Sequence, residues 1–136
     1  MAAVGAESCS SVEEVLERSD FVSLHMPGSA ENRHLINAER LSVMRPHAFL
    51  INTARGDVVE EAALAAALKS GTIAGAGLDV YEFEPKVSPE LARLENAVLL
   101  PHLGSATEET RVAMGMRVAQ NVKAFFAGEP PPDRVA

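Results

Sequence analysis

Apolar residues fall along this chain in short runs separated by stretches of helical spacing. Phe21-Val22-Ser23-Leu24 forms one run, closed by Pro27-Gly28. Ala48-Phe49-Leu50-Ile51-Asn52, residues 73–80 and Ala97-Val98-Leu99-Leu100 form three more, the last ended by Pro101. These runs do not alternate with polar residues, so they predict strands covered on both faces. The stretches between them predict helices. Ser11-Val12-Glu13-Glu14 is a capping box with Val12, Val15 and Leu16 on one face. Residues 29–33 read as loop. Asn37 can cap a short helix carrying Leu41 and Met44, stopped by Pro46. An alanine-rich helix covers residues 60–69 and closes at Gly71. Ser105-Ala106-Thr107-Glu108 is a second capping box, opening a helix to about Phe126. Its apolar stripe is Val112, Met116, Ala119, Val122 and Phe126.

Strands alternating with helices predict right-handed βαβ units and a parallel sheet, an α/β fold. In such sheets ligands bind at the carboxyl ends of the strands. His25 and Pro27 follow the first strand, Thr53-Ala54-Arg55-Gly56 the second, Asp79 to Glu84 the third and His102 the fourth. A guanidinium at Arg55 could grip a carboxylate through two parallel hydrogen bonds; a surface arginine paired with a nearby acid is the other reading. His102 is a candidate general acid or base, or a loop histidine without a role. A carboxylate at Glu84 that touched His102 would fix its tautomer and favour the imidazolium; alone, Glu84 reads as an exposed loop acid. Asp79 ends an apolar run, so its carboxylate needs a donor from a ligand amide or a backbone N–H. Gly75-Ala76-Gly77 resembles the start of a dinucleotide fingerprint, but a loop follows it instead of a helix. Close backbone packing is the better reading of those glycines. His25, His34 and His47 lack metal-ligand spacing, so no metal site is expected, and Met114 and Met116 read as core or interface filling.

Composition narrows the classes. The chain has 136 residues, the size of one domain. It is 47% hydrophobic and 23% charged, which argues against disorder. Acidic residues outnumber basic ones 19 to 12, for a net charge of −7, which argues against nucleic-acid binding. The single cysteine, Cys9, excludes an internal disulfide and a cysteine cluster. No apolar run is long enough for a membrane span, and residues 1–10 lack the pattern of a signal peptide. A soluble, cytoplasmic protein is the expectation. Gly128-Glu129-Pro130-Pro131-Pro132-Asp133 reads as a proline-rich tail.

Four blocks carry a resemblance. Leu50-Ile51-Asn52-Thr53-Ala54-Arg55-Gly56-Asp57-Val58-Val59 closely resembles a signature of the D-isomer-specific 2-hydroxyacid dehydrogenases. Gly77-Leu78-Asp79-Val80-Tyr81-Glu82-Phe83-Glu84-Pro85 is similar to the family's next block, and Leu99 to Thr107 to its histidine block. Leu24-His25-Met26-Pro27 with residues 32–37 resembles an earlier segment. The blocks keep the family's order from about Ser11 onward, and the chain looks most like the glyoxylate/hydroxypyruvate reductase branch. The resemblance implies hydride transfer between NAD or NADP and a small 2-oxo or 2-hydroxy acid. It implies that His102 donates and accepts the proton, that Glu84 holds His102, and that Arg55 binds the substrate carboxylate. Asp79 would contact the nicotinamide carboxamide. The backbone at Thr53-Ala54 and Gly104-Ser105 would line the nicotinamide, and His25 and Pro27 would border the cofactor groove.

The sequence departs from the family at Gly28, where a larger apolar residue is common, at Glu60, where Asp is common, and at Phe83, which often has a small counterpart. The family's G-x-G-x-x-G turn and its ribose-reading residue are absent. The expected architecture is therefore a partial Rossmann-like parallel sheet of about four strands with flanking helices. Residues 1–127 would form the C-terminal part of an NAD(P)-binding domain with a returning helix, and residues 128–136 the tail. Two functional readings follow. One is a dehydrogenase piece that is weak or inactive alone, as it lacks the helix-terminal N–H groups that hold pyrophosphate. The other is a non-catalytic half-Rossmann remnant that acts by self-association through a strand edge and apolar faces. A homo-oligomer, a dimer, is the expectation.

Overall fold

The computed structural model describes residues 5–135; residues 1–4, part of the segment read for a leader, and residue 136 lie outside the described residues. The chain divides into two compact units, Met1–Pro101 and His102–Ala136. The first contains helix α1 (Val12–Arg18), strand β1 (Phe21–Leu24), helix α2 (Ala38–Ser42), strand β2 (Phe49–Asn52), helix α3 (Glu61–Ser70), strand β3 (Gly75–Leu78) and strand β4 (Ala97–Leu99). All four strands are parallel, in the order β1-β2-β3-β4. The parallel α/β fold expected from the sequence is what the chain adopts. Register sets Phe21 beside Phe49 and Phe49 beside Gly75.

The helices begin where local chemistry can satisfy their first N–H groups. Ser11 Oγ accepts from Glu14 N at 3.1 Å, and Asn37 Oδ1 accepts from Arg40 N at 3.0 Å. Helix α3 ends at Gly71, whose φ of 72° is the left-handed conformation that closes helices without a Cβ penalty. Its start has no side-chain cap of its own. Leu16, Val22, Leu24, Ile36, Leu41, Leu50, Leu64, Leu68, Ile73, Leu78 and Leu91 form one buried cluster. Each such side chain contributes about 1.5–3 kcal/mol through its burial.

Strand ends are tighter than the apolar runs. The third strand spans Gly75–Leu78 within residues 73–80, and the fourth stops at Leu99. Ladder pairing, rather than hydrophobicity, decides where a strand stops. Gly75 and Gly77 are packing glycines, as expected. A Cβ on Gly75 would lie 2.8 Å from the Phe49 ring, and one on Gly77 would lie 3.2 Å from Ile51 Cδ1.

The expectation of two covered faces fails at β1, β2 and β4, where Val98 is exposed. Val22, Leu24 and Leu50 are buried, but Phe21 is 71% exposed and Phe49 39%. The two rings stack on each other at 5.4 Å and 13°. A lack of alternation shows that both faces are apolar, but not that anything packs on both.

The second unit contains helix α4 (Glu108–Phe126) and the tail. The helix starts two residues later than the second capping box predicts. Thr107, not Ser105, is the cap, and its Oγ1 accepts from Thr110 N at 3.2 Å. No residue of α4 is buried. The expected apolar stripe exists in spacing, yet Val112, Met116, Val122 and Phe126 are all exposed, as is Met114, so the methionines do not fill a core. The proline-rich tail is tied to the opposite side of this helix: Arg117 Nε and Asn121 Nδ2 each donate to Asp133 Oδ2 at 2.6 Å.

Candidate active site

The turn after β2 is shaped by Asn52. Its buried side chain accepts from Ala54 N at 3.1 Å and donates to Arg55 O at 2.9 Å. These bonds fold residues 53–55 and leave the Arg55 side chain exposed. Arg55 Nη1 donates to Ala54 O at 2.7 Å, and among the described residues Arg55 has no carboxylate partner. Gly56 comes next and opens a single 3₁₀ turn, Gly56–Val58. A Cβ on Gly56 would lie 1.9 Å from both C and O of Tyr81, so this turn packs directly on the backbone of the loop after β3.

His25, Met26, Pro27, Gly28, Thr53, Ala54 and Arg55 line one depression of about 490 Å³. Five residues predicted from the sequence, His25, Pro27, Thr53, Ala54 and Arg55, therefore share one surface. The His25 ring nitrogen Nε2 lies in hydrogen-bond contact with Ser23 Oγ at 2.9 Å. Gly28 abuts the arginine turn: a Cβ there would lie 2.7 Å from Asp57 Oδ1 and 3.3 Å from Arg55 Cβ. The departure from the family at position 28 thus lets the two loops close up. Asp79 is buried at the end of β3, where its N–H donates to Asn52 O at 3.0 Å; it does not line the depression. A larger, apolar cavity of about 940 Å³ lies between α3 and residues 83–90 and holds none of the strand-end candidates.

The loop after β3 is pinned at several points. Tyr81 Oη donates to Leu100 O at 2.7 Å. Burial pushes the Tyr81 phenol above its ordinary value, and the carboxylates of Asp79, Glu61 and Glu84 push it the same way. Glu84 Oε1 accepts from Tyr81 N at 3.0 Å, and the Glu84–Pro85 peptide is cis. Between them Glu82, its side chain 6% exposed, accepts from Arg33 Nη2 at 2.9 Å and His34 Nε2 at 2.7 Å. Its N–H donates to Glu61 Oε1 at 2.6 Å. His102, Gly104 and Ser105 lie in the second unit. His102 and Gly104 are exposed and Ser105 is half-buried. His102 has a φ of 57°, in the left-handed region that non-glycine residues enter rarely.

Asn52, Glu82, His34, Arg33 and Glu61 are site-shaping residues that the sequence reading does not single out. For Asn52 a signal exists, a polar residue closing an apolar strand. The others pair across 21 to 49 residues, a separation no local pattern reports.

Comparison with known proteins gives this arrangement its setting. Residues 1–104 match the family model described as D-isomer specific 2-hydroxyacid dehydrogenase, NAD binding domain. The chain is 52% identical over 132 residues to a glyoxylate reductase of Thermococcus litoralis, covering 97% of this chain and 40% of the relative. It is 56% identical over 124 residues to that of Pyrococcus furiosus, covering 91% and 37%. The crystal structure of an NADPH-dependent glyoxylate/hydroxypyruvate reductase from Sinorhizobium meliloti, in complex with citrate, superposes with a TM-score of 0.90 at 42% identity, covering 97% of this chain and 42% of that one. The chain thus spans about two fifths of the length of these relatives. With its parallel sheet, its strand-end arginine and its match over three quarters of the sequence, the chain belongs to the D-isomer specific 2-hydroxyacid dehydrogenase family, through the NAD-binding domain of that family.

Proposed function

We propose that this chain carries substrate-anchoring and proton-transfer groups for the nicotinamide-dependent reduction of a small 2-oxo acid, of the glyoxylate or hydroxypyruvate class. One observation supports this most: Arg55 is a cation without an acidic partner among the described residues, at the rim of a depression lined by His25, Pro27, Thr53 and Ala54. The depression is a mostly uncharged wall beside a positive charge. That suits a flat nicotinamide ring, from NAD or NADP, next to an anionic substrate. When bound, the cofactor supplies the hydride.

The chain's own residues do the rest. Arg55 binds the substrate carboxylate, and a two-point grip fixes its orientation and the approach of its carbonyl. His102 gives a proton to the developing alkoxide in reduction and takes it back in oxidation. Glu84, held at Tyr81 N, is the acid that orients His102. Asp79 receives the cofactor carboxamide, and Gly104-Ser105 offer backbone groups to the same ring. The test is an NADH- and NADPH-dependent assay on glyoxylate and hydroxypyruvate with the intact chain and with Arg55→Ala. Turnover that is lost on the substitution supports the reading, and turnover indifferent to it refutes the role of Arg55.

A second reading has its own observation. Helix α4 exposes Val112, Met116, Val118, Val122, Phe125 and Phe126, and the sheet exposes Phe21. Such apolar surface is covered when copies associate. We propose a homodimer, tested by light scattering across a concentration series; a monomer throughout would refute it. With one cysteine, Cys9, the chain has no internal disulfide that an oxidising compartment would have to maintain, which supports the cytoplasm. Among the described residues no helix is long and apolar enough to cross a membrane.

A further inference from the structure

We infer that Glu82 is the positioning residue of the site, the group that fixes where the Tyr81–Glu84 loop stands against the arginine turn. The consequence for catalysis rests on the function proposed above; the structural claim does not.

Glu82 joins three separate parts of the chain. Its Oε1 accepts from Arg33 Nη2 and His34 Nε2, both in the loop after β1. Its Oε2 faces Glu61 N at 3.4 Å, at the start of α3, and its own N–H donates to Glu61 Oε1 at 2.6 Å. Glu82 and Glu61 thus exchange backbone-to-carboxylate hydrogen bonds in both directions. Helix α3 has no side-chain cap from Glu60, so Glu82 brings the negative charge that its first turn favours. A buried carboxylate held this way is costly to leave unpaired and therefore has one well-defined place.

The partners are themselves constrained. His34 has a φ of 51°, in the left-handed region, and is held there by its N–H donating to Asp57 O at 2.8 Å. Asp57 belongs to the turn that follows Arg55. A non-glycine residue keeps such a conformation when its surroundings over-determine it, and such residues cluster at functional sites. The chain of contacts therefore runs from the arginine turn through Asp57 and His34 to Glu82, and two residues onward to Glu84. On the other side, Gly56 meets Tyr81 and Glu82 with no space between. The spacing of Arg55 and Glu84 is set from both sides, and Glu82 is where the two meet.

The test uses the intact, isotope-labelled chain. Tyr81 N–H donates to Glu84 Oε1, so the Tyr81 amide shift reports ionisation of Glu84, and its hydrogen exchange reports the order of the loop. In Glu82→Ala we expect the Tyr81 amide to lose its acid titration and exchange at least tenfold faster, while Leu50 and Ala76 in the strands keep their protection. Glu82→Gln, which retains an acceptor for His34 and Arg33, should restore most of both signals. If the titration and exchange of Tyr81 are unchanged in a folded Glu82→Ala chain, the inference is overturned. In the 2-oxo acid assay, Glu82→Ala should lower kcat at least tenfold with KM within twofold; an equal kcat would also overturn it. Where the chain shows no turnover before substitution, as a dehydrogenase piece inactive alone would, the amide readout decides the role of Glu82.

Discussion

Replacing Gly56 by alanine tests the central packing claim, that the arginine turn and the loop after β3 touch backbone to backbone. The added Cβ would stand 1.9 Å from Tyr81 C and O and 2.5 Å from Glu82 N, where real Cβ contacts essentially never fall below 3.0 Å. The obstacle is main chain, so no side chain can swing away. The loop must retreat by at least about 1 Å, against the steep repulsive wall of the van der Waals potential. Overpacking of this kind costs about 1–3 kcal/mol. The retreat also stretches the Tyr81–Leu100 and Glu82–Glu61 hydrogen bonds, each contributing about 1 kcal/mol. A loss of about 3 kcal/mol is the expectation, which for a chain of this size lowers Tm by roughly 10 °C. Tyr81 is the single tyrosine and there is no tryptophan, so intrinsic fluorescence in a urea titration reads the affected loop directly. Gly115→Ala is the matched control, since a Cβ there meets nothing within 4 Å; it sits in α4 and should gain up to about 1 kcal/mol of helix propensity. A Gly56→Ala chain with an unchanged urea midpoint would refute the packing argument, whatever its activity.

Further outcomes are expected. The phenolate absorbance of Tyr81 should titrate above the ordinary value of 10.0 in the folded chain and return to it in denaturant. Because the folded value is raised, this group's share of stability is complete below pH about 10 and is lost as pH climbs through the folded value; an alkaline unfolding series that shows no decline there would contradict it. Asn52→Ala removes both bonds that shape residues 53–55 and should destabilise by about 1–3 kcal/mol in chemical denaturation. Arg55→Lys keeps the charge but not the fork, so kcat/KM for a 2-oxo acid should fall roughly a hundredfold, about 2.7 kcal/mol; parity with arginine in steady-state kinetics would remove the two-point grip.

The parallel sheet could be read from the sequence because its strands are dense apolar runs and its helices carry their own punctuation. Ser11, Asn37 and Gly71 each act within a few residues of themselves. Local punctuation is ambiguous at the second cap: Ser105 has Glu108 three residues on and fits the pattern, but Thr107 makes the bond. The exposure of α4 and of Phe21 was invisible, since periodicity shows which side is apolar and not what meets it. The residues of the depression are legible because they follow strands in order. The Glu82 cluster is not, because its bonds are tertiary.

The strand order has a kinetic consequence. Each strand pairs with the one just made before it, Phe21 with Phe49 and then Phe49 with Gly75. No strand has to wait for a distant partner or be inserted between two that are already paired. A chain leaving the ribosome can therefore lay the sheet down one strand at a time, each short crossover closing a modest loop. The outer edges of β2 and then β3 are each covered by the next strand to emerge, while the other edge of β1 pairs with no strand among the described residues. Folding of this unit can therefore follow the order of synthesis, each new strand shortening the time for which the edge before it stands open.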